Sequence, residues 1–308
     1  MITTISNSVT YHNQGGIFSI PSGRYCPEVE KALRIAKYKG ANTPTDYQLK
    51  MLSFYINGLR DIGTLKKKDL LYMFSYGSLH ESNADILRTS NYLWASQQEN
   101  ILTDFTKINL INPDKYYLTY TADTTSNLYR ITNTKNGLYK ISEATNNYVS
   151  TNFNPSVDAI KYSLNDASFT WYFDGINGDL SNGSTIVAGI VNNISNDASL
   201  RINPWTGTAG HNAGINGAFG NFGGGVTTQS GFHICQRTAS NALSWYKDSI
   251  AYGTRTDAST SIYNGELILM QRYQATNGLF HVGSSYNLTE ISQEYQLWND
   301  YKTKLNIK

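Results

Sequence analysis

From about residue 116 to residue 286, apolar and polar side chains alternate, and this period of two constrains the fold more than any other feature. The clearest segments, all rich in aromatic or β-branched residues, are 168–173, 185–190, 231–235, 243–246 and 266–271. Asp-Gly and Asn-Gly pairs typical of tight turns follow at 174–175, 177–178, 182–183 and 264–265. Many short strands joined by such turns predict an antiparallel β-sandwich or jelly roll.

Composition agrees with this prediction and excludes several classes of protein. Only 16% of the 308 residues are charged, 13% are aromatic, and the net charge is +2. A nearly balanced charge gives no long-range field that would recruit nucleic acid or an anionic membrane surface. No apolar segment approaches the roughly 20 residues of a membrane span. The first residues do not resemble a secretory signal, so we expect the protein to fold in the cytoplasm where it is made.

Two cysteines limit the chemistry available to the thiol groups. Cys26 and Cys235 cannot form a four-thiolate zinc site or a disulfide framework. They lie far apart in the sequence and could pair only if the fold brought them together.

The sequence before residue 116 has a different texture. Residues 1–24 are polar and interrupted by Gly and Pro, which predicts an irregular N-terminal arm without a core of its own. Residues 25–115 carry a higher density of charge and show helical spacing, which predicts a small helical attachment module. Residues 116–308 then form the β-sandwich with a closing helix.

Three helices are predicted in the attachment module. The first begins at Pro27, which suits the first helical turn. The second has Thr43 as its N-cap and Pro44 in its first turn, and it ends at Gly63. The third covers 66–76. Its Lys66-Lys67-Lys68 triplet is typical of a solvated face, because a nucleic-acid patch would need more basic residues nearby.

A final helix closes the chain. Leu288 and Thr289 are predicted to form its hydrophobic staple and cap. An apolar stripe that can dock on a sheet follows, at Ile291, Tyr295, Trp298 and Tyr301.

No cluster of reactive side chains emerges. A glycoside hydrolase needs two carboxyl groups about 5 to 9 Å apart, and no strand carries two acids at alternating spacing. The main acids of the strand region are Asp174, Asp179, Asp197, Asp248, Asp257 and Glu266. The histidines are scattered, and His233 and His281 lie in apolar strand contexts that favour packed residues over ligands. We therefore predict no catalytic residue, no metal site and no cofactor.

The stretch 207–225 places glycines at a period of three, with no helix after it that would make a phosphate cradle. A long surface loop is the favoured interpretation. The alternative is a sugar-binding groove, since aromatic faces stack on apolar ligand faces and amides satisfy hydroxyl groups. The side chains that would line this groove are Trp205, His211, Asn212, Asn216, Phe219, Asn221 and Phe222.

Several segments resemble the end of concanavalin A-like, laminin-G-like jelly-roll domains, in which a hairpin, a late strand ending in Gly and a helix beginning Leu-Thr follow one another. The resembling segments are 240–248, 266–270, 280–283 and 288–290, with 148–155 and 165–169 upstream. The Glu-x-Asp-x-Glu strand of glucan-cutting members is missing, and no lectin-type metal cluster maps onto the chain. Neither hydrolysis nor calcium-dependent sugar binding is therefore carried over.

The segments 41–63, 70–74 and 111–113 look like a module that precedes such domains in virion proteins of tailed bacteriophages, particularly the crAss-like phages and others that infect Bacteroides-type hosts. The resemblance implies a virion structural protein, a head or tail fibre or a decoration component, attached by its N-terminal part. Its partners would be other capsid or tail proteins and copies of itself, as a dimer or trimer.

The sequence thus predicts an α+β, mainly β fold and a non-enzymatic protein of the virion, assembled in the host cytoplasm. The first alternative is a module that binds host or mucus glycans. The second, from another class, is a glycosidase whose acid pair is brought together by the strands. No nucleic acid or membrane partner is expected.

Overall fold

The computed structural model describes residues 3–5, 8–13, 16–21, 25–38, 43–75, 105–121, 131–134, 137–140, 148–174, 186–190, 199–203, 211–223, 230–271 and 276–307. The predicted turns at 174–175, 177–178 and 182–183 lie wholly or partly outside these residues.

The N-terminal segment is not irregular where it is described. Three strands, β1 (Thr3–Ile5), β2 (Ser8–Asn13) and β3 (Gly16–Pro21), form an antiparallel sheet in the order β1-β2-β3. The expectation of an irregular arm is wrong for these residues, because Thr, Val and Ile favour extended backbone and neighbouring strands satisfy one another's amides.

Two helices follow, α1 (Pro27–Tyr38) and α2 (Asp46–Ile62). The predicted start at Pro27 and stop at Gly63 are confirmed, and Gly63 adopts the left-handed conformation of a C-cap with φ of 87°. The predicted N-cap is wrong by two residues. Thr45 fills that position, because its side chain accepts the Gln48 N–H while Gln48 accepts the Thr45 N–H at 2.7 Å.

The third predicted helix is instead a strand, β4 (Lys68–Met73), which pairs with β18 (Thr276–Gly283). The leucine-rich sequence of β4 fits the period of a helix as well as that of a strand, because the strand is buried on both faces. Leu70 and Tyr72 enter one core and Leu71 enters the other.

The strands form two antiparallel sheets, so the predicted β-sandwich is confirmed. In the described residues the first sheet has the order β13-β12-β11-β10-β17-β8-β5. Its members are β5 (Thr119–Thr121), β8 (Tyr148–Ser150), β10 (Ile186–Ile190), β11 (Ser199–Asn203), β12 (Asn212–Gly217), β13 (Gly220–Asn221) and β17 (Leu267–Gln271).

The second sheet has the order β16-β15-β14-β9-β18-β7-β6, with β4 also pairing to β18. Its other members are β6 (Ile131–Thr134), β7 (Gly137–Lys140), β9 (Ala167–Asp174), β14 (Gly231–Ala239), β15 (Ala242–Lys247) and β16 (Ile250–Arg255). A short helix, α3 (Pro155–Asp158), precedes β9.

The closing helix, α4 (Leu288–Leu305), confirms the predicted stripe, since Ile291, Trp298 and Tyr301 are buried. Its predicted cap is wrong. Asn287 is the N-cap, because its side chain accepts the Glu290 N–H at 2.9 Å and Glu290 accepts the Asn287 N–H at 2.7 Å. An amide oxygen two residues before the predicted cap, Thr289, completes the reciprocal pair, so Leu288 already lies in the helix.

Two hydrophobic cores share the second sheet, and alternation along β9 divides its side chains between them. Trp171 and Phe173 point into the inner core between the sheets, whereas Tyr172 points into the outer core. The outer core lies under α1, α2 and α4. Residues before and after position 115 contribute to both cores, while the predicted domain boundary at that position stays a prediction.

Two further expectations concern single residues. Cys26 and Cys235 are both buried free thiols, one in the outer core and one in the inner. Lys68 is not on a solvated face: its side chain is fully buried and its ammonium lies 2.7 Å from the Glu294 carboxylate. Such burial is tolerated because the opposite charge accompanies it.

Candidate functional site

The predicted groove residues fall on and beside β12 and β13, at one end of the sandwich. Trp205 lies outside the described residues. The surface-loop interpretation is wrong for residues 212–217, which form the buried strand β12. The side chains of His211, Asn216 and Phe222 are also buried, whereas Asn221 is exposed and Phe219 is half-buried.

His211 lies inside a stack of aromatic rings. Its imidazole is parallel to the Trp245 indole, with ring centroids 4.5 Å apart and planes 11° apart. Tyr252 approaches the same imidazole at 4.5 Å, and His233 meets it edge-on at 5.3 Å. Trp245 reaches this position because inward and outward side chains alternate along β15.

A second stack continues the first. The His233 imidazole lies 5.2 Å from the Trp171 ring at an angle of 7°, and the two indoles of Trp171 and Trp245 meet edge-on at 5.2 Å. The Trp245 Nε1–H donates a hydrogen bond to His233 Nδ1 at 3.2 Å. His233 is thus a packed residue, as predicted for a histidine in an apolar strand.

Burial keeps the His211 imidazole uncharged at neutral pH. Burial, with smaller contributions from His233 and Lys247, lowers the pKa of His211 to about 2. Among the described residues neither ring nitrogen of His211 has a hydrogen-bond partner. Burial raises the pKa of the Cys235 thiol well above its ordinary value. These groups can stack and accept or donate hydrogen bonds, but they do not exchange protons near pH 7.

Asn216 is occupied by the protein itself. Its Oδ1 accepts the Tyr162 hydroxyl at 2.6 Å, and its Nδ2 donates to the carbonyls of Ser163 and Leu164 at 2.9 and 3.0 Å. The backbone of Asn216 is left-handed, with φ of 56°, a conformation that Asn tolerates better than most residues. Its amide therefore fixes the segment before β9.

Two arginines that the sequence did not single out hold β12 in place. Arg237 is fully buried, and its guanidinium donates to the carbonyls of Ile215 at 2.7 Å and Ser240 at 2.8 Å. Arg255 donates to the Ala213 carbonyl at 2.6 Å and lies over the Phe222 ring. Arg237 follows the apolar residues of β14, and a charged side chain in such a strand is the sequence signal that would have indicated this role.

The same arginines explain the glycines of this stretch. A Cβ on Gly220 would lie 2.5 Å from the Arg255 guanidinium, and one on Gly217 would lie 2.5 Å from the Ala258 carbonyl oxygen. The Ala258 backbone leaves no room for a side chain at position 217, whereas a side chain at position 220 would displace the end of the Arg255 side chain.

Three accessible residues lie beside the buried stack, and we call Phe219, Asn221 and Tyr252 the rim. Phe219 and Asn221 flank Gly220 beside Arg255, and Tyr252 precedes Gly253, which packs against the Phe222 backbone. Phe219 and Tyr252 are half-buried and Asn221 is exposed, with its Oδ1 accepting the Gly223 N–H at 2.6 Å. The rim offers aromatic surface and an amide, the chemistry that suits a neutral hydroxylated ligand.

The acids of the strand region serve the fold where they are described. Asp248 accepts the Phe232 N–H at 2.8 Å, Asp257 pairs with Arg255 at 2.8 Å, and Glu266 accepts the Asn152 N–H at 2.8 Å. The side chains of Asp174, Asp179 and Asp197 lie outside the described residues. Within the described part of the chain, no group of three or more metal-ligating His, Cys, Asp or Glu occurs.

None of the helices in the described ranges is both long and apolar enough to cross a membrane.

No protein-family profile matches the sequence, and no curated protein matches it. Similar solved structures include domain 4 of AbnA, an extracellular arabinanase from Geobacillus stearothermophilus, in complex with arabinotriose (12% identity, TM-score 0.40, 58% of this chain and 88% of that one). The binding domain of botulinum neurotoxin serotype D is similar at 11% identity and a TM-score of 0.46, over 78% of this chain and 52% of the other.

Trypanosoma rangeli sialidase is similar at 11% identity and a TM-score of 0.38, over 59% of this chain and 33% of the enzyme. This chain therefore spans about half the length of the toxin domain and a third of the sialidase. Such a likeness concerns the fold alone, and the function is inferred below from the residues of the site.

Proposed function

We propose that this chain is a non-enzymatic binding protein whose β-sandwich holds a neutral saccharide at the rim formed by Phe219, Asn221 and Tyr252. The observation that carries the proposal is the rim itself: aromatic surface and an exposed amide, supported from beneath by an uncharged aromatic stack. Sugar rings present apolar faces to aromatic side chains and hydroxyl groups to amides.

The stack beneath makes the rim rigid. Tyr252 rests on the buried His211 ring, and the β12–β13 segment is tied by Arg255 to the Ala213 carbonyl. A surface whose side chains are already ordered loses less conformational entropy when a ligand binds. The sandwich therefore supports a preformed site, with specificity set by a few hydrogen-bonding groups.

Calorimetric titration of the full chain with a panel of neutral oligosaccharides tests the proposal. We expect saturable binding that is lost in Asn221→Ala and in Trp205→Ala, the latter being the aromatic residue predicted from sequence. Tyr38→Ala is the matched control, because Tyr38 is 91% exposed on α1, away from the rim. Flat titrations across the panel, or equal losses in all variants, would remove the proposal.

We further propose that the protein is a component of a bacteriophage virion, a head or tail fibre or a decoration protein, that joins the particle through its N-terminal region as a dimer or trimer. The resemblance of residues 41–63, 70–74 and 111–113 to phage virion proteins supports this. The helical layer of α1 and α2 also offers a surface opposite the saccharide rim, on the outer side of the second sheet.

Deletion of residues 1–24 tests this attachment. We expect a folded protein that no longer joins particles, measured by mass spectrometry of purified virions against the full chain. Retained incorporation would contradict attachment through this segment. Absence of the full-length protein from the virions would remove the virion proposal altogether, whether or not saccharides bind.

A further inference from the structure

A buried polar cluster holds α4 to the second sheet. We call Lys68, Glu294, His281, Tyr55 and Tyr286 the Lys68 cluster. The Lys68 ammonium lies 2.7 Å from Glu294 Oε1 and donates to the Tyr286 hydroxyl at 2.9 Å. His281 Nδ1 is 3.7 Å from Glu294 Oε2, and His281 Nε2 is 3.4 Å from the Tyr55 hydroxyl. The side chains of the ion pair and of His281 are fully buried.

The cluster joins four parts of the chain around one imidazole. His281 on β18 is faced by Glu294 from α4, by Lys68 from β4 and by Tyr55 from α2. Tyr286, in the segment before α4, contacts Lys68. On the sheet itself His281 is flanked by Thr170 and Leu71, neither of which titrates. These groups are the charged and titratable neighbours of His281 that its contacts within the described chain show.

The charges of the cluster balance only when His281 is neutral. Lys68 and Glu294 already neutralise each other, and burial of a third charge beside them is costly. No hydrogen-bond partner of His281 Nδ1 or of Glu294 Oε2 is found among the described residues, so the imidazole and the carboxylate face each other without a firm bond. While α4 is docked, protonation of His281 would therefore leave a buried positive charge that no further negative charge balances.

We propose that the docking of α4 on the sheet is acid-sensitive, because the His281 imidazole takes up a proton when α4 leaves and excludes it when α4 is docked. Release of α4 would expose the imidazole to water, since Glu294, Trp298 and Tyr301 cover this face of the sheet. This property is independent of what the sandwich binds.

The direction of the effect follows from linkage. Burial first, and then the charge of Lys68, lower the pKa of His281 well below its ordinary value of 6.5. Docking is fully favoured above pH 6.5, and it weakens as the pH falls below that value because only the released state binds the proton. One proton taken up on release changes the released fraction by up to about tenfold per pH unit.

Hydrogen–deuterium exchange of the full chain at pH 7.5, 6.5 and 5.5, corrected for intrinsic exchange rates, tests the proposal. Peptides from 288–305 report on α4, and peptides from 231–247 report on the sandwich. We expect the opening of α4 to rise by roughly fivefold between pH 6.5 and 5.5, and by about tenfold between pH 7.5 and 5.5. The sandwich peptides should open less, and His281→Gln should remove most of the pH dependence in α4.

His12→Gln is the matched control, because its position lies outside the Lys68 cluster, and it should keep the wild-type response. Should His281→Gln fail to fold, NMR of the wild-type histidine side chains replaces it. The His281 ring should stay neutral down to pH 5.5 while α4 is docked. Titration of that ring near pH 6.5 in the docked state, or an α4 opening that ignores pH or always matches the sandwich, would overturn the proposal.

Discussion

The second sheet buries polar groups on both of its faces, but in different ways. On the inner face, imidazoles lie against indoles and Arg237 donates to backbone carbonyls. On the outer face, Lys68 and Glu294 carry opposite charges with no exposure to water. The contacts on the inner face form once the strands pair in register. The ion pair on the outer face forms only when α4 packs on β4, which brings Glu294 to Lys68.

This difference separates two roles within one molecule. The aromatic interior supports the rim, because its rings are held by stacking and by the hydrogen bond from Trp245 to His233. A charged pair under a helix is strong only while both partners are present, because either one left alone is a buried unpaired charge. The following substitutions test that contrast, in order of decreasing effect.

Lys68→Met should have the largest effect. It leaves the Glu294 carboxylate buried without its cation, and we expect the free energy of unfolding to fall by about 3–5 kcal/mol in urea denaturation. Lys50→Met is the matched control, since Lys50 pairs with Asp46 on the exposed face of α2 and should cost less than about 0.5 kcal/mol. Equal losses would show that the outer pair is no more than a surface contact.

Arg237→Met tests the inner face. The buried carbonyl of Ile215 loses this donor, and we expect the free energy of unfolding to fall by about 2–3 kcal/mol in the same denaturation. Arg34→Met, on the exposed side of α1, should change stability by less than about 0.5 kcal/mol. A small effect of Arg237→Met would mean that strand pairing, and not the guanidinium, holds β12.

His211→Phe probes the neutral stack through pH. Since burial lowers the pKa of His211 to about 2, the unfolded chain binds a proton below pH 6.5 that the native protein does not bind. His211 therefore makes stability fall as the pH drops from 6.5 towards 2, by up to about 1.4 kcal/mol per pH unit. Urea denaturation at pH 7.5 and 5.5 should show this part of the slope missing in the variant. An unchanged slope would contradict a neutral His211.

The capping assignments predict a smaller effect. Thr45→Ala should cost about 1 kcal/mol, because Thr45 accepts the Gln48 N–H at the start of α2. Thr43→Ala should be close to neutral in the same thermal or urea unfolding experiment. A larger loss in Thr43→Ala than in Thr45→Ala would instead support Thr43 as the N-cap of α2, as the sequence alone predicts.

Local patterns predicted much of the fold. Helical spacing located α1, α2 and α4, and alternation located β9, β10, β14, β15 and β17, because each of these elements has its own apolar face. β4 was mistaken for a helix because a strand buried on both faces has no polar side to reveal its period. Its partner β18 lies about two hundred residues later in the chain, so the pairing cannot be predicted from the local sequence pattern.

The candidate site was harder to predict. Glycines at a period of three suggested a loop, and only the fold shows that the Ala258 carbonyl leaves no room for a side chain at Gly217. His211 and Asn216 were expected to face a ligand, but the fold turns both inward onto Trp245 and Tyr162. Tyr252 was not singled out, because its neighbours in the rim, Phe219 and Asn221, lie just over thirty residues earlier in the chain.

The proposed saccharide site is the aromatic rim, and the helix-covered face takes no part in saccharide binding. A ¹H–¹⁵N NMR titration of the full chain with a saturating neutral oligosaccharide tests it most directly. Shift changes should gather at Phe219, Asn221 and Tyr252 and leave residues 288–305 unchanged. Changes confined to α1, α2 and α4, or none with any saccharide of the panel, would contradict the claim.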